Sequence, residues 1–281
     1  MKLMMSSWIF FVTLASAFLH ASWNALLKNS PHKLMASILV AVSGAIISLT
    51  AFPFLAAPAP QSYPYIGISI VLQVLYMFLL SQAYHVADMS KTYPIMRGGA
   101  PLFITLLNFF FLRESVSTIA IIGVLVLCGG IISFSFNQHG ITKKSLMLSL
   151  CNALVIASYS VIDGVGARLS QSPIAYTLCI LFMQGMIIFI FGAIHYKKKL
   201  LFYAHEHWLT CSIAGFGSIT SYALALWAMS HAPIMLVAAL RESSILFGVL
   251  IARVFLNEKI SSYAWMSSLF IVAGLVLYRI A

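Results

Sequence analysis

Ten apolar stretches, each near the length of a membrane-crossing helix, run through this chain with only short polar breaks between them. They fall near residues 8–27, 34–55, 65–86, 90–112 and 117–136, then near 145–168, 172–194, 208–230, 233–256 and 262–280. The hydrocarbon core of a bilayer is about 30 Å thick and takes about 20 apolar residues of helix to cross. Ten such stretches occupy most of the 281 residues, which leaves no length for a soluble domain. Only 8% of the residues are charged and 62% are hydrophobic, whereas soluble domains carry about 25% charged residues.

Backbone groups in lipid must be satisfied internally, and these segments are too long and too uniformly apolar for the alternating strands of a barrel. The expected fold class is therefore an all-α polytopic membrane protein. Lys2 followed by an apolar run through Ala15-Ser16-Ala17 has the outline of a secretory leader, but the run continues to Leu27 at full spanning length. The formal net charge is +10. It lies in short loops and is not interleaved with exposed aromatics, so no nucleic-acid partner is expected. Cys128, Cys151, Cys179 and Cys211 all sit in apolar runs without metal-ligand spacing, and no cofactor, metal or disulfide framework is implied.

The two halves of the chain resemble each other. Phe111-Leu112-Arg113-Glu114 returns 144 positions later as Phe255-Leu256-Asn257-Glu258, and the same shift sets Arg97 on Arg241, Phe103 on Phe247, Ser117 on Ser261 and Gly130 on Gly274. Near the start of each half, Ala21-Ser22-Trp23 matches Ala157-Ser158-Tyr159. The expected units are residues 1–140 and 141–281, with five helices in each. Because five is odd, the second unit enters the membrane from the opposite side, an inverted-topology pair of the kind many secondary transporters use.

Lys and Arg near helix ends report orientation. One side of the membrane receives Lys28, Lys33, Lys91, Lys143, Lys144, Lys197, Lys198, Lys199, Arg253 and Lys259; the other receives Lys2, Arg113, Arg168 and Arg279. Ten against four sets the first group in the cytoplasm and both termini outside it.

These features resemble the drug/metabolite transporter superfamily, and within it the ten-helix EamA family. The resemblance is carried by Trp23-Asn24 late in the first helix, by Leu112-Arg113-Glu114 and Leu256-Asn257-Glu258 at the ends of helices four and nine, and by the glycine-bearing helices that follow them. Tyr93-Pro94-Ile95-Met96-Arg97-Gly98-Gly99-Ala100-Pro101, Val161-Ile162-Asp163-Gly164 and Ala239-Leu240-Arg241-Glu242-Ser243 are similar to one EamA subgroup. The resemblance implies a carrier of small metabolites such as amino acids, nucleobases or sugar derivatives.

Charged side chains inside a span are expensive, at about 2.5–3.5 kcal/mol at the centre of an inserted helix, and by default are functional. Four stand out: Arg97, Asp163, Arg241 and Glu242. Arg97 and Arg241 each lie about eight residues, or roughly 12 Å, into helices that enter from opposite faces, so both guanidiniums are expected near the midplane. A guanidinium offers a planar fork to carboxylate, phosphate or phosphonate, and two of them predict an anionic or zwitterionic substrate. The alternative is that Arg241 with Glu242, and Arg97 with Asp163, neutralise each other and only lock helices together.

Asp163 and Glu242 are also the candidates for proton coupling, since burial disfavours a bare carboxylate and adjacent arginine opposes that effect. His20, Asn24 and Lys28 recur every four residues beside Trp23, on a face expected to look inward. Tyr93 stands one turn from Arg97, Tyr159 one turn from Asp163, and Gln73 with Tyr76 forms a similar pair on the third helix. Pro94, Pro101, Gly98 and Gly99 allow a kink in helix four and expose backbone groups near Arg97, whereas helix nine has no proline inside its span; membrane helices also carry such residues for packing. His205-Glu206-His207 reads as solvated loop, and Arg113-Glu114 as charges at a helix end.

The expected function is alternating-access transport of a small polar metabolite, with coupling to protons as one possibility, in a bacterial cytoplasmic membrane. The partners are then the substrate and membrane lipid, with the chain a monomer or a homodimer paired through small-residue faces at Gly123, Gly130 and Gly274. Two other readings are a flippase for lipid headgroups on the same fold and an integral-membrane enzyme using Asp163, His20 and Glu242. The loops lack the catalytic motifs the enzyme would need.

Overall fold

The computed structural model describes residues 6–28, 30–136, 142–255 and 262–280; Leu256-Asn257-Glu258, Ser261, Lys2 and Lys259 lie outside the described residues. The elements are α1 (Ser7–Lys28), α2 (Lys33–Ala51), α3 (Tyr63–Val86), α4 (Met89–Leu107), α5 (Thr118–Phe136), α6 (Lys143–Leu169), α7 (Pro173–Tyr196), α8 (Lys198–His231), α9 (Ile234–Arg241), α10 (Ser244–Val254) and α11 (Ser262–Ile280). α9 and α10 are two halves of one span, interrupted at Glu242-Ser243. Counted this way the described residues form ten membrane helices, and eight are long and apolar enough to cross a bilayer on their own described length.

Helix pairing follows the repeat. α5 packs along α11 and α2 along α7, while α1 lies against α8 and α3 against α6; α4 lies against α6, and the α9–α10 span against α1. Moving every helix five places along the chain exchanges these pairings among themselves. Large apolar side chains such as Phe11, Ile46, Val71, Phe109, Phe216 and Leu269 point outward, as helices facing hydrocarbon require. Inside, small residues bring backbones together. A methyl group at Gly274 would lie 2.6 Å from the Gly123 carbonyl oxygen, and one at Gly130 would lie 2.7 Å from Phe270 Cβ. Within this chain the small-residue faces thus pack α5 against α11.

Three expectations change. His205-Glu206-His207 is helical, within α8, because Leu200 and Tyr203 are buried and anchor the first turns against the bundle. At 34 residues and 1.5 Å per residue, α8 is about 51 Å long and outreaches the hydrocarbon core. α4 contains Pro94 and Pro101 yet runs as one helix, followed by a π-helical turn at Asn108–Leu112. The break falls instead in the proline-free span, where the backbone tightens at Glu242-Ser243: the Glu242 N–H donates to the Ala239 carbonyl and the Ser243 N–H to the Leu240 carbonyl.

The third concerns Glu114, which is more than an end charge. Its carboxylate contacts the Arg168 guanidinium at 2.6 Å and accepts the Ile234 N–H at 2.9 Å. Arg168 also donates to the carbonyls of Met229 and Ala232. Asn108 holds the Glu114 backbone at both its N–H and its carbonyl. One carboxylate thereby ties the ends of α4, α6 and α8 to the start of α9.

Candidate functional site

Arg97 on α4 and Glu242 at the α9–α10 break approach from opposite ends of the bundle and meet inside it. Arg97 Nε lies 2.9 Å from Glu242 Oε2, and both side chains are largely buried. Neither atom has a hydrogen bond of good alignment there, so the contact is an ion pair without the directional bond that a fully seated guanidinium would form. The pair is neither of the two combinations expected from the sequence. Arg97 turns toward the break rather than toward Asp163, and Glu242 turns away from its neighbour Arg241.

Arg241 has no such carboxylate. Its guanidinium stands over the ring of Tyr222, with Cζ 5.4 Å from the ring centre, and its buried Nε has no hydrogen-bond partner. A cation over an aromatic face is stabilised by about 0.5–2 kcal/mol, but the ring gives the Nε–H no acceptor. The Tyr222 hydroxyl donates to Asp163 Oδ2.

Asp163, fully buried on α6, collects donors from three other helices. Besides Tyr222 of α8, the Tyr176 hydroxyl of α7 donates to Oδ1 at 3.2 Å and the Gln73 amide of α3 donates to Oδ2 at 3.4 Å. Gln73 also donates to Ser69. No salt bridge to Asp163 occurs among the described residues, so hydroxyl and amide dipoles alone surround this charge.

The two arginines and Glu242 line one small cavity together with Tyr159 and Ser160 of α6; Ala100, Pro101, Ile104, Ile156, Met229 and Ala238 complete its wall. It measures about 320 Å³ including its open mouth. Asp163 stands behind this wall, reached through Tyr222 and Tyr159.

The other residues expected at the site are distributed unevenly. Tyr76 packs edge-on against Tyr159 with ring centres 6.0 Å apart, and Tyr93 lies within electrostatic reach of Arg97. His20 is within reach of both arginines and meets Trp23 edge-on at 5.4 Å. Trp23 Nε1 is a further buried donor without a partner. Asn24 stands apart, exposed and donating to the His20 carbonyl of its own helix. Lys28 is exposed as well, so the expected inward face of α1 holds only at His20. Tyr222, Tyr176 and Ser69 were not anticipated. For Tyr222 a signal existed: it sits on the buried stripe of α8 that runs through Gly215, Ile219, Leu226 and Met229, and a buried tyrosine hydroxyl requires an acceptor. Among the described residues no group of three or more His, Cys, Asp or Glu side chains could hold a metal ion.

The fold and this polar interior define a multi-pass α-helical membrane protein built from two related sets of five helices. Residues 143–280, the second half of the chain, match the EamA-like transporter family, and the match supports a general role in transport across membranes. A solved crystal structure superposes with a TM-score of 0.71 at 16% identity, covering 98% of this chain and 96% of the other; at that identity the likeness is one of fold. No curated protein matches the sequence.

Proposed function

We propose that this protein is a secondary transporter for a small anionic or zwitterionic metabolite, which it moves by alternating access with proton coupling in a bacterial cytoplasmic membrane. The observation that carries the reading is Arg241: a guanidinium on the cavity wall whose buried Nε–H has no hydrogen-bond partner. Buried donors are nearly always satisfied, and a carboxylate, phosphate or phosphonate fits the fork of an arginine. Arg97 is compensated by Glu242. Among the described residues the site therefore offers one guanidinium outside a salt bridge, Arg241, where the sequence suggested two. Glu242, incompletely bonded by Arg97, is placed to receive the ammonium group of a zwitterion whose acid group sits on Arg241. Opposed helix entries and a midplane site are the arrangement that alternating access uses.

The test is ligand-induced thermal stabilisation of the purified protein against carboxylates, phosphates, phosphonates, amino acids and neutral or cationic metabolites. A ligand at one hundred times its dissociation constant stabilises the folded state by about 2.7 kcal/mol. Anionic or zwitterionic compounds should stabilise the unmodified protein and lose that effect in Arg241→Ala. Equal stabilisation by neutral or cationic compounds in both proteins would overturn the reading.

A further inference from the structure

We propose that Tyr222 is the residue that links the substrate site to a proton site at Asp163, so that anion binding at Arg241 and protonation of Asp163 favour each other. The inference rests on the transport reading above and assigns its coupling to named atoms. Tyr222 touches both sites at once: its ring carries the Arg241 guanidinium and its hydroxyl donates to Asp163 Oδ2.

Asp163 suits a proton better than Glu242 does. Glu242 faces Arg97 at 2.9 Å and follows Arg241 in the chain, so two permanent cations hold its negative charge. The groups facing Asp163 are neutral hydroxyls and an amide: Ser69 and Gln73 from α3, Tyr176 from α7, Tyr222 from α8 and Tyr159 one turn away on α6. α9 presents Ile234 against Gly164. From α4 and the α9–α10 break, Arg97, Arg241 and Glu242 act on Tyr159, not on the carboxylate by contact. Three donors aim hydrogens at Asp163, which is the wrong polarity for a sodium ion, whose ligands must turn lone pairs toward it. A proton needs only one donor to turn away.

The exchange balances as follows. A proton from bulk water binds Asp163 Oδ2, the carboxylate becomes a carboxylic acid, and its new O–H points at the oxygen of Tyr222. Tyr222 then accepts where it had donated, and its own hydrogen turns to another acceptor. A phenol that accepts from an acid has a less electron-rich ring than one that donates to an anion, so its hold on the guanidinium weakens. Arg241 is released toward the cavity, where an anion can take both arms of its fork. Conversely, an anion that draws Arg241 off the Tyr222 ring leaves the hydroxyl a weaker donor to Asp163, so the carboxylate loses support and its affinity for the proton rises. Linkage makes the two effects equal in free energy.

The test needs no transported ligand. In purified protein, the infrared carbonyl band of protonated Asp163, identified by its loss in Asp163→Asn, is followed against pH. Arg241→Gln mimics a guanidinium neutralised by an anion, and should move the midpoint upward by about one pH unit, tenfold in proton affinity, within the roughly 5–150-fold span of coupled sites. Arg241→Lys keeps the charge and should move it much less. In a Tyr222→Phe background, which retains the ring and the packing, Arg241→Gln should shift the midpoint by a third of that amount or less. Equal shifts with and without the Tyr222 hydroxyl would mean that Arg241 acts on Asp163 through space alone and would overturn the proposal. So would a band that never titrates or that sodium displaces at constant pH. Failure here is separable from failure of the transport reading, which is judged by anion stabilisation and not by this band.

Discussion

Arg97 pairs with Glu242 across the two halves of the molecule, at 2.9 Å, although Arg241 is the immediate neighbour of Glu242 in the chain. A neighbouring residue on a helix points about 100° away, so adjacency in sequence gives no contact. The inverted entry of α4 and the α9–α10 span brings Arg97 and the break to one level and lets the carboxylate turn across. The consequence is an asymmetric site in which one arginine holds the halves together and the other, among the described residues, has no salt bridge and rests on the Tyr222 ring.

Removing one partner of this pair should destabilise the protein by about 3–5 kcal/mol, because the remaining charge is buried alone. Thermal unfolding in detergent would therefore place Arg97→Met and Glu242→Met well below the unmodified protein. The double variant should recover more than half of that loss, since two apolar side chains leave no charge behind. A double variant as unstable as the sum of the singles would show that the two residues act independently.

Arg241→Met should behave in the opposite way. Its guanidinium lies over the Tyr222 ring, worth about 0.5–2 kcal/mol, and makes no salt bridge among the described residues, while its burial is costly, so the variant should unfold at or above the temperature of the parent. A large loss of stability in Arg241→Met would mean that the guanidinium has a structural partner.

The ten spans were legible because each is written as an apolar run of the right length, and the halves because Arg97/Arg241 and Phe111/Phe255 keep one spacing. The break at Glu242-Ser243 was not, since helix propensity marks breaks through proline and glycine, and here the prolines sit in the unbroken α4. Helices in a membrane tolerate proline in their interior, and α4 runs through both as one helix. The helical start of α8 was hidden by its polar His205-Glu206-His207. Four charged residues were found by their cost in lipid, yet their pairing was beyond reach: it depends on which way side chains turn where α4, α6, α8 and the α9–α10 span converge, and no spacing along one helix records that. The same holds for Glu114, whose partners lie on α6 and α9.

The tie at Glu114 makes a graded prediction. Glu114→Ala leaves the Ile234 N–H and one arm of Arg168 without an acceptor, a loss of about 1–3 kcal/mol. Glu114→Gln keeps a carbonyl oxygen for Ile234 and loses only the charge, so it should fall between Ala and the parent. Thermal unfolding of the three proteins checks the order; Gln as damaging as Ala would mean that the ion pair with Arg168 carries the whole effect.

The seam between α5 and α11 depends on space that only glycine leaves. At Gly274 an added methyl would meet the Gly123 carbonyl oxygen at 2.6 Å and both Leu127 Cβ and the Leu127 backbone nitrogen at 2.7 Å. Two of these three obstacles are backbone and cannot rotate aside, so the helices must separate. Overpacking of this kind typically costs about 1–3 kcal/mol, against which the higher helix propensity of alanine returns at most about 1 kcal/mol. Gly274→Ala should therefore lower the unfolding temperature. Gly129→Ala, on the same helix pair but with nothing within 4 Å of the added methyl, should leave it unchanged or raise it. If both substitutions behaved alike, close approach of α5 and α11 would not be what Gly274 provides.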